Sequence, residues 1–407
     1  MTSHNIELSI DTFGSVENPI TKKQEEVKKF TWRNVENGMS VVLISYGVII
    51  QSIKVPDRSG NLADVVCGFD DVSGYLQSNN PYFGAMVGRV ANRIAHGEFV
   101  LNGEVRKVAK NWNNKHHLHG GIIGFNKFNF NHYVVGNVVY LSHLSPDNFE
   151  GYPGDLLLTI KCELTSDNSI AMEYKATSSK STPINLTNHS YFNLAGHETG
   201  FEELYKHVIS INADKITETD SESIPTGKFT NVGGTPFDLR ISKELGPAMR
   251  NLNAIGYDDN FCINIPKGFQ NSLNFVSRAV HPPSGRWLEV SSNQEGVQLY
   301  TSNFFPDPCG NINASRFVSE NYYEVDGVLT TKLDKVTVST KDDNSAKCSD
   351  ESALVGKGGV HYLKHGAFCL ETQKFPDAVN HSNFPSVILN PGETYQHEVV
   401  FKFGCEA

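Results

Sequence analysis

The chain has 407 residues, 39% of them hydrophobic and 20% charged, a composition that excludes collagenous, coiled-coil and wholly disordered classes. Lys plus Arg total 35 against 45 for Asp plus Glu, a net charge of −10 that leaves no electrostatic footprint for nucleic acid. Folding a chain of this length buries roughly three quarters of its unfolded surface, so its core needs no staples.

The patterning along the chain has mostly a period of two. The amino terminus has no basic segment followed by an apolar one, so no secretory signal is expected. Val41–Ile50, the most apolar run, reads as a strand; it is too short to span a bilayer and contains Ser45, Tyr46 and Gly47. A turn at Asp57–Gly60 and one or two helical turns over Val72–Ser78 follow. Further strands are expected at Leu156–Leu164, Ser169–Ala176, Trp287–Val290 and Val399–Phe403, with turn signals at Asn102-Gly103, Ser166–Asn168 and Asn390–Gly392. Asp238–Leu252 has room for one short helix with Asp238 near its cap.

From about 307 to 359 the chain turns polar, and Ser339–Ser352 is too poor in apolar residues to offset its ordering entropy. A mobile surface insertion is expected there, with a hairpin over Val325–Val338 at its base. Strands recurring at short intervals without regular helices between them predict an all-β fold, a large sandwich with few short helices, as one domain over 1–407. The seven cysteines form no Cys-x-x-Cys pair, and Cys405 stands third from the end, outside any prenylation box. Reduced thiols in a cytoplasmic protein fit that pattern, and the four glycosylation-type sequons, at Asn185, Asn188, Asn313 and Asn380, then go unused.

Three clusters carry possible chemistry. In His116-His-Leu-His-Gly-Gly121, His117 and His119 share a strand face and could bind a metal, but no completing ligand is visible; the paired glycines suggest backbone approaching a ligand. In Asn185–Ala195, alternation puts Thr187, His189, Tyr191 and Asn193 on one side, which suits a polyol pocket with His189 exchanging a proton. A solvated strand face weighs equally. In Phe368–Pro376, Glu371 stands where a strand leaves the core; burial would make it a stronger base, and an ordinary strand-end carboxylate is the alternative. Polar islands at Gly88–Ile94, Gly256–Cys262 and Gly296–Asn303 add groups that read sugar hydroxyls. No phosphate-binding loop, dinucleotide fingerprint, nucleophile elbow or His-Glu-x-x-His occurs.

Eight segments, in this order, resemble the aldose 1-epimerase (galactose mutarotase) family. They are Gly88–Ala95, Leu118–Gly121, Glu150–Gly154, Leu186–Leu194, Ile224–Gly227, Gly256–Phe261, Gly296–Thr301 and Phe368–Gln373, within a resemblance running from about 28 to 403. The resemblance implies a galactose mutarotase-like β-supersandwich that binds an aldohexose such as D-galactose or D-glucose without metal or cofactor. It implies Glu371 as general base and His189 as general acid. His119 and Arg93 would contact the sugar near its ring oxygen, Asp258 and Gln298 would bind hydroxyls, and Asn92 would support them. The implied partner is a small sugar, with neither nucleic acid nor membrane, and the protein a monomer.

Ring opening needs a proton removed from the C1 hydroxyl and one delivered to the ring oxygen. The expectation is a carboxylate at Glu371 and an imidazolium at His189 on opposite sides of the sugar. Activity would then fall in acid as Glu371 protonates and in alkali as His189 loses its proton. A phosphosugar epimerase, a sugar-binding module and a two-carboxylate glycosidase are the rival readings. The preferred aldose and the role of the insertion are left open.

Overall fold

The computed structural model describes residues 5–307 and 354–406, and the backbone of 322–325 and 328–331. Three antiparallel sheets carry the architecture. The first is a five-stranded meander in chain order: Ile6–Glu17, Gln24–Asn34, Ser40–Ile44, Ile49–Pro56 and Leu62–Asp64. The second has nine strands, in the order Asn131–Val135, Val138–Ser145, Leu156–Leu164, Ser169–Ser178, Tyr395–Cys405, Arg286–Ser292, Asn274–Val280, Val208–Ile211 and Lys243–Glu244. The third has five, in the order Pro225–Asn231, Ala213–Thr219, Asp258–Ile263, Gly296–Tyr300 and Cys369–Gln373.

Alternation explains how the layers meet. Leu156, Leu158, Ile160, Cys162 and Leu164 are all buried, two apart on one strand. Cys162 and Leu164 face Trp32, Val41, Leu43 and Ile50 of the first sheet across a small apolar gap. Each such aliphatic side chain contributes about 1.5–3 kcal/mol on burial. The same continuous core takes in Phe261, Val297, Leu299 and Leu370 from the inner face of the third sheet. A second cluster, including Tyr46, Phe69, Phe83, Tyr191, Tyr300, Phe305 and Tyr362, packs beside it.

The expected strands at Leu156–Leu164, Ser169–Ala176, Trp287–Val290 and Val399–Phe403 are present, the last three longer than expected. The Val41–Ile50 run is two strands, not one. The chain turns at Gly47 and Val48, with φ of 60° and 49°, and an uninterrupted apolar run hides that turn. The helix expected over 238–252 is confined to Leu245–Arg250. Asp238 does not cap it, because both its carboxylate oxygens accept from Arg240 at 2.8 Å. A four-residue helix does occupy Val72–Tyr75, capped by Asp71, which accepts from the Gly74 amide at 3.2 Å. The Gly200–Leu204 helix was not anticipated.

Most of the insertion, with Ser339–Ser352, Cys309, Cys348 and Asn313, lies outside the described residues. Its hairpin is earlier than expected, pairing Tyr322–Val325 with Val328–Thr331. The chain beyond it is anchored by Lys357, whose Nζ donates to Asp64 Oδ2 at 2.7 Å and to the Gln51 carbonyl at 2.9 Å.

Candidate active site

The third sheet builds the floor of the site. Directly opposed residues on neighbouring strands point to one side, as do residues two apart on a strand. Asn260 opposes Gln298, Gln298 opposes Glu371, and Asp258 opposes Tyr300. One face therefore carries Asp258, Asn260, Gln298, Tyr300, Cys369, Glu371 and Gln373, while the other carries the apolar core. Glu371 sits mid-strand, so the reading of it as a strand-end carboxylate fails.

Two short pairings deliver the remaining groups. His117–Leu118 pairs with Arg93–Ile94, which brings His119 beside Arg93. Thr187–Asn188 pairs with Met86–Val87, which sets His189 next to them. Beyond Asn188 the segment is irregular, and every residue from Asn185 to Leu194 is buried, so it is no solvated strand face. His189 and Tyr191 reach the pocket, whereas Thr187 and Asn193 do not.

The pocket is open to solvent. All seven residues singled out from the sequence line it: Asn92, Arg93, His119, His189, Asp258, Gln298 and Glu371. Pro81, Tyr82, Trp112, Leu118, Tyr300 and Phe304 complete the wall. Of these, Tyr82, Trp112 and Phe304 come from loops whose sequence has no distinguishing period; their aromatic character was the one signal available.

One end of the pocket is a closed hydrogen-bond network. Arg93 donates to Asp258 Oδ2 at 3.4 Å and to Asn92 Oδ1 at 3.3 Å, with its guanidinium 5.0 Å from the Trp112 ring centre. Gln298 Nε2 donates to Asp258 Oδ1 at 2.8 Å, and Asn92 Nδ2 donates to Gln298 Oε1 at 3.2 Å. His119 Nδ1 accepts from the Asn92 amide at 3.2 Å. Burial foremost, then His189 and Arg93, hold the His119 pKa well below its ordinary value. The ring is neutral, and with Nδ1 accepting, Nε2 carries its proton.

His117 turns the other way. Its Nδ1 lies 2.7 Å from the Ala109 carbonyl and its Nε2 2.6 Å from the Tyr152 hydroxyl. His117 and His119 do not share a face, because the backbone takes a left-handed conformation at His119, with φ of 51°. The following glycines do allow close backbone approach, but to protein rather than ligand. A Cβ on Gly120 would stand 2.0 Å from the Gly88 carbonyl, and one on Gly121 2.1 Å from Glu150 Oε2.

The other end holds the reactive pair. His189 Nε2 is 3.6 Å from Glu371 Oε1, and the side chains are only 5% and 3% exposed. The two lie side by side, not on opposite sides of a ligand, which suits a hemiacetal whose hydroxyl and ring oxygen are both bonded to C1. Tyr82 and Tyr191 stack on the imidazole, with ring centres 5.9 and 4.9 Å away. Burial, reinforced by Asp258 and opposed by Arg93, raises the Glu371 pKa well above the carboxylate range. Burial pushes His189 down to about 3. Both shifts oppose the pair of charges that a carboxylate at Glu371 and an imidazolium at His189 would carry. The sequence shows both groups but not that both are desolvated, which disfavours two opposite charges at once.

Among the described residues, His189, Cys369 and Glu371 bring potential metal-ligating atoms within 4.8 Å of one another. They do not fit an ion. Cys369 meets Nδ1 of the ring while Glu371 faces Nε2, and burial keeps the thiol protonated. No helix among the described residues is long and apolar enough to cross a membrane.

A β-sheet face that places a buried acid/base pair beside a wall of hydrogen-bonding groups has the layout of an enzyme site for a small polar molecule. A family model described as aldose 1-epimerase matches residues 28–402. Galactose mutarotase from Bos taurus is 42% identical over 377 residues, covering 93% of this chain and 94% of its own. The Homo sapiens galactose mutarotase is 41% identical, covering 90% and 91%. The structure of a galactose 1-epimerase from Lactobacillus acidophilus shares the fold, with a TM-score of 0.72, 21% identity, and coverage of 99% of this chain and 100% of that one. The chain belongs to the aldose 1-epimerase family, enzymes that interconvert the α and β anomers of aldoses.

Proposed function

We propose that this chain opens and recloses the ring of aldohexoses such as D-galactose and D-glucose, with Glu371 as base and His189 as acid. The observation that carries this reading is the buried contact of 3.6 Å between Glu371 and His189, beside a network able to hold hydroxyls. Sugar binding favours the reactive forms. The C1 hydroxyl donating to Glu371 and the ring oxygen accepting from His189 stabilise their charged forms, and hydrogen bonding to a charged form favours it.

The chemistry balances internally. Glu371 takes the C1 hydroxyl proton, the C1 carbonyl forms, and the bond from C1 to the ring oxygen breaks as that oxygen receives the His189 proton. Rotation about C1–C2 exposes the other carbonyl face, and closure runs both transfers backwards. Each transfer contributes about 10²–10⁴-fold. His119 and Arg93 steady charge near the ring oxygen, while Asp258, Gln298 and Asn92 hold hydroxyls.

Arg93 is the one fixed cation among the lining residues and is already paired with Asp258, which argues against a phosphosugar substrate. We read the chain as one domain acting as a cytoplasmic monomer, with no nucleic-acid or membrane partner. A core shared by all three sheets supports the single domain, and free buried thiols at Cys67, Cys162 and Cys369 support the cytoplasmic reading. The test is polarimetry of freshly dissolved α-D-galactose and α-D-glucose, with a hexose phosphate and an aryl galactoside in parallel. Faster decay of rotation for the free sugars alone is expected. Turnover of the phosphate or release of the aryl group would favour a rival, and binding without acceleration would mark a sugar-binding module.

A further inference from the structure

The family-like segment Glu150–Gly154 has no part in the pocket wall, and neither has Asn111. Both instead grip the turn that carries His119. That turn is closed by the Gly121 amide, which donates to the Leu118 carbonyl at 3.1 Å. Its two central residues, His119 and Gly120, have φ of 51° and 84°. Left-handed backbone suits Gly120 but is uncommon for a residue with a Cβ, and it persists only where the surroundings over-determine it.

The surroundings do so from both ends. From the chain before the turn, Asn111 Oδ1 accepts from the Leu118 amide at 2.8 Å, and Nδ2 donates to the Leu118 and Gly121 carbonyls at 2.9 and 3.0 Å. From the chain after it, Glu150 Oε2 accepts from the Ile122 amide at 3.1 Å and Oε1 from the Ile123 amide at 2.8 Å. Two successive amides thus converge on one carboxylate. Between these grips the His119 amide donates to the Asn92 carbonyl at 3.0 Å, while Nδ1 accepts from the Asn92 amide. We infer that Asn111 and Glu150 are positioning residues that act through His119, holding its left-handed turn so that Nε2–H stays on the ring oxygen of the sugar. The inference rests on the contact between His119 and the sugar proposed above. With either grip lost, the turn relaxes toward ordinary backbone angles and the imidazole shifts, and a misplacement of about 1 Å can cost about 10²-fold in rate.

The test is a double-mutant cycle on the whole chain, read as kcat and KM by polarimetry. His119→Asn, which tolerates the left-handed turn, should lower kcat about 10²-fold. Glu150→Gln keeps the shape but turns an amino group toward one of the two amides. It should lower kcat roughly tenfold and leave KM little changed, because the hydroxyl-binding end is untouched. In the His119→Asn background the same substitution should change kcat by less than about twofold, since coupled residues are not additive. Asn111→Leu, of similar volume, should repeat that pattern. A merely structural role gives the full loss in both backgrounds, or a loss that tracks a fall in Tm; either result, or wild-type kcat in the folded single variants, would overturn the inference. If neither variant folds, hydrogen exchange of the wild type decides. The Leu118, Ile122 and Ile123 amides should exchange slowly, and fast exchange at any of them would overturn the grip. Near-normal kcat in His119→Asn is a different failure, that of the underlying contact between His119 and the sugar.

Discussion

The two ends of the pocket are built on opposite principles. Around Asp258, Arg93, Asn92 and Gln298 charges are matched and most polar atoms have a partner, so that end is rigid and ready to receive hydroxyls. Around His189 and Glu371 the neighbours are two tyrosine rings and a thiol, and Glu371 Oε2 is buried with no partner at all. Buried polar groups are normally satisfied. The reactive pair is left with few fixed partners, whereas satisfying the other end fixes where the sugar lies. Turnover and affinity should therefore break separately.

The largest effect is expected from Glu371→Gln, which keeps the shape and removes the base. Turnover measured by polarimetry should fall about 10²–10⁴-fold. Next, Asp258→Asn leaves Arg93 without its charge partner and weakens a charge-assisted contact to a hydroxyl. KM should rise about 10–100-fold with kcat little changed. Away from both ends, Lys357→Met strands Asp64 beside the first sheet, since the pair is almost buried, with side chains 7% and 12% exposed. Chemical denaturation should show a loss of about 3 kcal/mol at pH 7, while kcat of the remaining folded protein is unchanged.

The smallest effect across the neutral range is that of pH. In the free enzyme the His189 pKa is pushed down to about 3 and that of Glu371 is raised. As pH falls toward about 3, His189 takes up a proton; as pH rises through the Glu371 value, Glu371 loses one. A plot of kcat/KM, which reports the free enzyme, should therefore be nearly flat near neutrality. Its acid limb would belong to His189 and its alkaline limb to Glu371. A limb near the ordinary histidine value that vanished in His189→Asn would contradict the lowered His189 pKa.

Much of this was legible in the sequence. Period-two runs such as Leu156–Leu164 announced strands because one face is buried and the other is not. Asp258 and Gln298 stood out in polar islands and Glu371 after an apolar run, and the family resemblance implied their roles. What was hidden depends on long-range placement. No local pattern shows that Gln298 is directly opposed to Glu371. Gly120 and Gly121 signalled close approach without revealing that the neighbours are Gly88 and Glu150. The pKa shifts of the reactive pair depend on the desolvation of two groups 182 positions apart in the chain (371 − 189), and no local pattern encodes that.

The most direct test follows bound galactose and anomer exchange in one sample, by exchange NMR of wild type, Glu371→Gln and Asp258→Asn. The account predicts that Glu371→Gln still binds the sugar while exchange collapses, and that Asp258→Asn still exchanges whatever it binds. Near-normal exchange in a folded Glu371→Gln, or loss of binding together with turnover in that variant, would contradict it.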